Sequence, residues 1–152
     1  MRILFVADGR SPTTISWLTY WISNGDDVHL VSTYACDEIP GLASLNVINT
    51  AFSEAASRGT SVRRRKVIQR LRRPLRALRS VLGPLSLNKP RKRFLEITNQ
   101  IGPDLVHALR IPFEGLLSVV TPKHIPLLVS IWGNDITLHA KGSPSMAIAI
   151  HK

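Results

Sequence analysis

Residues 3–34 read ILFVADGRSPTTISWLTYWISNGDDVHLVSTY, and this stretch decides the fold. Its apolar opening ends at Asp8 and Gly9, which is typical of a parallel strand that is buried on both faces and leaves the sheet in a tight turn. Apolar residues at helical spacing follow over 15–22, and residues 28–34 form a second apolar run. The stretch therefore predicts a strand–helix–strand crossover of the right-handed parallel kind.

The rest of the chain continues this alternation of strands and helices. The later predicted elements are strands over 45–50, 104–109 and 127–132, and helices over 90–101 and 112–120. Asn at alternate positions of the 45–50 strand indicates an edge of the sheet. Together the elements predict an α/β fold with a Rossmann-like, doubly wound parallel sheet of about five strands and helices on both faces.

Length and composition narrow the class of protein. A chain of 152 residues is the size of one domain. Its single cysteine, Cys36, excludes an internal disulfide and fits a reducing compartment. The first apolar run is too short for a signal peptide, and Pro, charged or polar residues interrupt every longer one. We therefore expect a cytoplasmic protein whose membrane contact, if it has any, is peripheral at the inner face.

The positive charge of the chain is concentrated in one segment. The formal net charge is +10, yet residues 58–93 hold 14 Lys and Arg and no acidic residue, so the remainder is mildly acidic. Such a distribution indicates a specific role for this one segment and does not indicate a protein that binds nucleic acid over its whole surface.

The basic segment has an amphipathic helical pattern, with Pro74 kinking it or beginning a second helix. One stripe holds Val67, Leu71, Leu75, Leu78 and Leu82, and the flanking arginines are Arg64, Arg65, Arg72, Arg76 and Arg79. The pattern fits a helix lying on an anionic membrane or polyanion, and it equally fits a solvated helix whose leucines cover one face of the sheet. Nucleic acid is disfavoured, because interleaved aromatic residues are missing.

The loops after the strands are the candidate ligand-binding residues, because ligands of open parallel sheets bind beyond the carboxyl ends of the strands. In the first loop, Gly9 either lets a phosphate or sugar approach the backbone or serves the turn alone. Arg10 either binds a phosphate or acidic acceptor or is an ordinary loop arginine. Ser11 completes this loop, and Arg110 follows the fourth strand.

The loop after the fifth strand combines an aromatic ring, a flexible turn and a carboxylate in Trp132, Gly133, Asn134 and Asp135. This composition is usual where a protein grips a sugar. Asp135 either accepts a hydrogen bond from a hydroxyl of the acceptor or caps the following helix. His107 lies inside a predicted strand, where a hydrogen-bonded core histidine is the favoured interpretation.

Four segments together resemble the N-terminal domain of retaining GT-B glycosyltransferases of the family-four type. They are MRILFVADGRSP at 1–12, NGDDVHL at 24–30, PDLVHA at 103–108 and SIWGND at 130–135. The resemblance lies in the order and spacing of these segments and runs to about residue 140, apart from the basic middle.

The resemblance implies two Rossmann-like domains facing across a cleft, without a required metal or other cofactor. The N-terminal domain would bind a glycan or lipid-linked acceptor, and the C-terminal domain would hold most of the nucleotide-sugar donor. It also implies that the loop at Gly9 lies against the donor phosphates and that the loop at 132–135 borders the acceptor.

Two departures from the family pattern limit what is carried over. Many relatives have two glycines in the first loop, where this chain has Asp8, Gly9 and Arg10, and many have histidine in place of Trp132. Because an indole has no hydrogen-bond acceptor, no catalytic role is transferred to that position, and the catalytic residues stay unassigned.

The expected function is hexosyl transfer by a larger enzyme of which this chain is the acceptor-side domain. The acidic donor-binding motif of the family has no counterpart in the sequence, so the donor-binding domain is expected to be absent and the chain alone to transfer no sugar. The alternative is a stand-alone α/β binding module that docks through its basic helix.

Overall fold

The computed structural model describes residues 1–49, 87–133 and 135–139. Its strands are β1 (Arg2–Ala7), β2 (Asp27–Ser32), β3 (Ser44–Val47), β4 (Leu105–Ala108) and β5 (Leu127–Val129). Its α-helices are α1 (Pro12–Ser23), α2 (Asn88–Ile101) and the single turn α3 (Leu116–Ser118). All strand pairings are parallel, which confirms the predicted Rossmann-like α/β class.

The sheet has the strand order β3-β2-β1-β4-β5. The chain therefore builds outward from β1 in one direction and then returns to add β4 on the other side. This reversal creates a switch point between β1 and β4, where the loops leaving the two strands diverge and open a crevice.

Strand β1 lies at the centre and is buried on both faces, as its unbroken apolar sequence predicts. Leu4 packs in the cluster that contains Phe94 of α2. Phe5 points to the opposite face and packs in the cluster that contains Leu18 of α1. Alternate residues of one strand thus hold a helix on each side of the sheet.

The two long helices end where the sequence predicts. After α1, the N–H of Gly25 donates to the Ile22 carbonyl at 3.0 Å. After α2, Gly102 adopts the left-handed conformation with φ 58°, and its N–H donates to the Thr98 carbonyl at 2.9 Å. Glycine adopts this conformation without steric cost, which explains its place at the end of α2.

The outer strands are shorter than predicted. Within the described residues β3 pairs with β2 alone, which agrees with the edge position inferred from its asparagines. The predicted strand over 127–132 ends at Val129, and after it the N–H of Ser130 makes one last ladder bond to the Ala108 carbonyl.

The predicted helix over 112–120 is wrong in its first half. Pro112 and Phe113 have non-helical backbone angles, with φ 63° and ψ −40° at Phe113. The chain instead forms a turn over Ile111–Gly115, in which the N–H of Gly115 donates to the Arg110 carbonyl at 2.8 Å. Helical backbone angles return after Phe113, with φ −63° and ψ −46° at Gly115, and the single turn α3 follows at Leu116.

Most of the basic segment, including Arg64, Arg65, Arg72, Arg76 and Arg79, lies outside the described residues. Its last part forms the start of α2. There Arg91 donates two hydrogen bonds to the Leu116 carbonyl, at 3.0 and 2.8 Å, so this arginine ties α2 to α3. None of the described helices is long and apolar enough to cross a bilayer.

Candidate functional site at the switch point

A pocket of ≈ 140 Å³ opens at the carboxyl ends of β1 and β4. Its walls are formed by Ala7, Asp8, Ser11, Thr14, Leu109, Arg110, Glu114 and Trp132. The first turn of α1 thus faces the end of β4 across the crevice that the strand order creates. Members of the three strand-end loops singled out in the sequence are brought together here.

The backbone of the first loop is held by internal hydrogen bonds. The N–H of Gly9 donates to Ser32 Oγ and the N–H of Arg10 donates to Asp8 Oδ1, both at 3.0 Å. The N–H of Ser11 donates to the Asp8 carbonyl, also at 3.0 Å. A phosphate bound by these groups would have to displace all three bonds.

Gly9 is explained by close packing on the neighbouring strand exit. A Cβ atom at this position would lie 2.5 Å from Cys36 Sγ and 3.0 Å from Ser32 Oγ. The missing side chain therefore makes room for Cys36. This geometry supports the interpretation of Gly9 as a turn and packing glycine, while its role toward a donor phosphate stays a prediction.

The Arg10 side chain is paired with Asp8. Its Nε and Nη2 atoms donate to the two carboxylate oxygens at 3.0 and 2.9 Å, and its guanidinium lies 3.8 Å from the centre of the Tyr34 ring. Burial alone would raise the pKa of Asp8, but the hydrogen bonds from Arg10 and the charges of Arg10 and Arg110 lower it below its usual value. Asp8 is therefore ionised at neutral pH.

Arg110 is oriented by Asp135, which is fully buried. Asp135 Oδ1 accepts from Arg110 Nη2 at 3.2 Å, and Oδ2 accepts from the backbone N–H groups of Ile111 and Trp132 at 3.2 and 3.1 Å. One carboxylate thus joins the loops after β4 and β5. In the described structure Asp135 positions pocket residues and does not itself line the pocket.

Among the described residues of the last loop, Trp132 alone lines the pocket. The Trp132 indole forms part of the pocket wall, and its ring centre lies 5.9 Å from the Arg110 guanidinium. Gly133 is exposed, and its carbonyl accepts from Thr137 Oγ1 at 2.8 Å. Asn134 lies outside the described residues.

His107 has the core role expected of it. It is 3% exposed, its Nε2 lies 2.9 Å from Ser130 Oγ, and its ring packs edge-on against Trp17. Burial lowers the pKa of this imidazole, so it is neutral at physiological pH.

Glu114 is a pocket residue that the sequence pattern did not single out. It is 5% exposed, and its Oε1 accepts a hydrogen bond from Thr33 Oγ1 at 2.8 Å. Burial raises the pKa of this carboxyl to about 7, although the Thr33 hydrogen bond and the Arg110 charge oppose the shift. The pocket therefore contains a carboxyl group that changes charge near neutral pH.

The backbone that carries Glu114 is strained. Phe113 is the one non-glycine residue with positive φ in the described part of the chain. Its angles lie near those of the rare γ-turn, and such conformations cost about 1–3 kcal/mol and concentrate at functional sites. Strain at Phe113 directs the next side chain into the protein at the pocket wall.

A scan against protein-family models and a search of curated proteins found no match to this chain.

Proposed function

We propose that the chain is the N-terminal, acceptor-binding domain of a glycosyltransferase that moves a sugar from a nucleotide-sugar donor to a glycan or lipid-linked acceptor. The observation that carries the proposal is the pocket at the switch point, where Asp8, Arg110, Glu114 and Trp132 converge. The resemblance of four sequence segments to retaining GT-B enzymes supports the same function.

The chemistry of the pocket suits a neutral polyhydroxylated ring. Asp8 and Glu114 offer carboxyl oxygens that accept hydrogen bonds from hydroxyl groups, and Arg110 offers donors to hydroxyl oxygens. Trp132 adds a flat apolar surface beside them. Apolar walls with a few convergent polar groups are typical of small-molecule sites, and this combination favours a hexose over an apolar ligand.

The same pocket is poorly suited to a diphosphate. Asp8 is ionised, and the first loop already uses its N–H groups and the Arg10 guanidinium internally. The volume of ≈ 140 Å³ is also below the about 300–1,000 Å³ of complete small-molecule sites. Both properties support an acceptor subsite, with the nucleotide and its phosphates held mainly by a second domain; that no metal is required is implied by the family resemblance alone.

Binding to simple glycosides tests the proposal. Methyl α- and β-hexopyranosides of the gluco, galacto and manno series are titrated into the ¹⁵N-labelled chain, with UDP and GDP as competing classes of ligand. We expect a glycoside to bind with a Kd of about 1 mM or weaker and to shift the backbone amides of Ser11 and Arg110. Nucleotide binding without glycoside binding would contradict the proposal.

Two aromatic variants make the test specific. Trp132→Ala removes a pocket wall and is expected to weaken glycoside binding about fivefold or more. Tyr20→Ala is the matched control, because Tyr20 is 61% exposed on α1 and does not line the pocket. Equal losses in both variants would show that the glycoside does not bind where we propose.

A further inference from the structure

We propose that Glu114 is the residue that binds a hydroxyl group of the acceptor, which donates a hydrogen bond to the Glu114 carboxylate. This inference rests on the proposed function and goes beyond it, because it assigns the group that recognises the acceptor and makes recognition depend on protonation. It applies to neutral polyols in general and not to one sugar.

The position of Glu114 is the first observation in favour of this role. The side chain is 5% exposed, yet it forms part of the wall of a pocket that opens to solvent. The strained turn at Phe113 holds the carboxyl there at an energetic cost. A buried acidic side chain inside an otherwise apolar stretch is rare unless it is paired or functional.

The hydrogen bonding of Glu114 is the second observation. Thr33 Oγ1 donates to Oε1 at 2.8 Å and the Glu114 backbone N–H also bonds to this carboxyl, whereas a carboxylate has about four lone-pair positions. Burial outweighs these two hydrogen bonds and the Arg110 charge and disfavours the charged form, which explains the raised pKa of about 7. A ligand hydroxyl in the pocket would supply a further donor and would therefore bind the charged form more tightly.

The charged groups that act on Glu114 are Arg110, from the end of β4, and Asp8, from the end of β1. A guanidinium stays protonated at all relevant pH values. The pKa of Asp8 lies below its usual value, so this carboxylate is ionised throughout the range in which Glu114 titrates. Glu114 is thus the group among these three whose charge changes between about pH 6 and pH 8.

The closing experiment measures the Kd of methyl hexopyranosides for the chain between pH 5.5 and pH 8.5, by the shifts of backbone amides. We expect the wild-type Kd to fall about five- to tenfold as pH rises through a midpoint near 7, which is the difference between a neutral and a charge-assisted hydrogen bond. Glu114→Gln is expected to bind at every pH as weakly as the wild type does at pH 5.5.

Thr33→Val tests whether Glu114 is the group whose protonation controls binding. It keeps the shape of the side chain and removes its hydroxyl, so the Glu114 carboxylate loses a donor. We expect this variant to bind the glycoside with the midpoint moved to higher pH. A midpoint that stays where it is in this variant would show that a group other than Glu114 titrates, and would overturn the inference.

The possible failures are distinguishable. A wild-type Kd that does not change with pH, or a Glu114→Gln variant that keeps the wild-type pH profile, would overturn the role of Glu114 while the pocket remained a glycoside site. If no glycoside in the series binds at any pH, the proposed function fails and the inference fails with it.

Discussion

Replacing Glu114 by Gln is expected to raise the free energy of unfolding, and the gain over the wild type should be larger at pH 8 than at pH 4.5. The raised pKa means that the folded state keeps a proton on Glu114 over a pH range in which the unfolded chain releases it. Below about pH 4.5 the Glu114 carboxyl is neutral in both the folded and the unfolded state, so its burial costs no charge-related stability. As pH rises to about 7 the penalty for a buried carboxylate grows, and above that pH it is constant.

The size of the effect follows from the shift. A pKa that moves from 4.5 to about 7 corresponds to about 3 kcal/mol of stability lost between low and high pH. Glutamine imitates the neutral acid and keeps an oxygen that accepts from Thr33, so it avoids this loss. For a domain of this size the gain at pH 8 equals a rise in Tm of about 6–12 °C.

Urea unfolding of both proteins at pH 4.5 and pH 8 measures the effect. The quantity of interest is the change in ΔΔG between the two pH values, because any constant effect of the amide cancels. Glu96→Gln is the matched control, since Glu96 is exposed on α2 and pairs with Arg93, a contact worth at most about 0.5 kcal/mol. A Glu114→Gln variant with the same ΔΔG at both pH values would refute the reasoning.

Three further predictions concern the loops and the basic segment. Gly9→Ala is expected to destabilise the fold by about 1–3 kcal/mol in urea unfolding, because its Cβ meets Cys36 Sγ, and Cys36→Ala in the same chain should restore part of the loss; no rescue would contradict the packing argument. Asp135→Asn should cost about 2 kcal/mol or more, since Arg110 and two backbone N–H groups lose a charged acceptor, and an unchanged urea midpoint would contradict this. Vesicles containing anionic lipid are expected to bind the chain at low salt through residues 58–93, with about 1 kcal/mol of binding free energy from each basic residue near the surface. Equal binding to neutral vesicles would disprove an electrostatic contribution to membrane binding.

The fold could be predicted because its main signals are local. The unbroken apolar run of β1, the helical spacing of α1 and the glycines after both long helices each act within a few residues of the chain. The position of the pocket also followed, since loops after parallel strands lie at one edge of the sheet whatever their sequences are. The structure brings Asp8 and Trp132 to this edge.

The chemistry of the pocket could not be predicted in the same way. The sequence predicted a helix over 112–120, in which Glu114 would be an ordinary surface residue. In the structure the turn at Phe113 directs the Glu114 side chain inward. A single acid within the apolar stretch IPFEGLL at 111–117 was the available signal. The pairing of Arg110 with Asp135 joins two loops 25 residues apart, and local sequence carries no information on such a contact.

The most direct test of the account is the location of a bound sugar. Crystals of the chain soaked with the methyl hexopyranoside that binds most tightly would show where the ring lies. We expect the ring in the switch-point pocket, against the Trp132 indole, with one hydroxyl within hydrogen-bond distance of the Glu114 carboxyl. A ring bound at the amino ends of the strands, near Asp27 or Asp104, would contradict it.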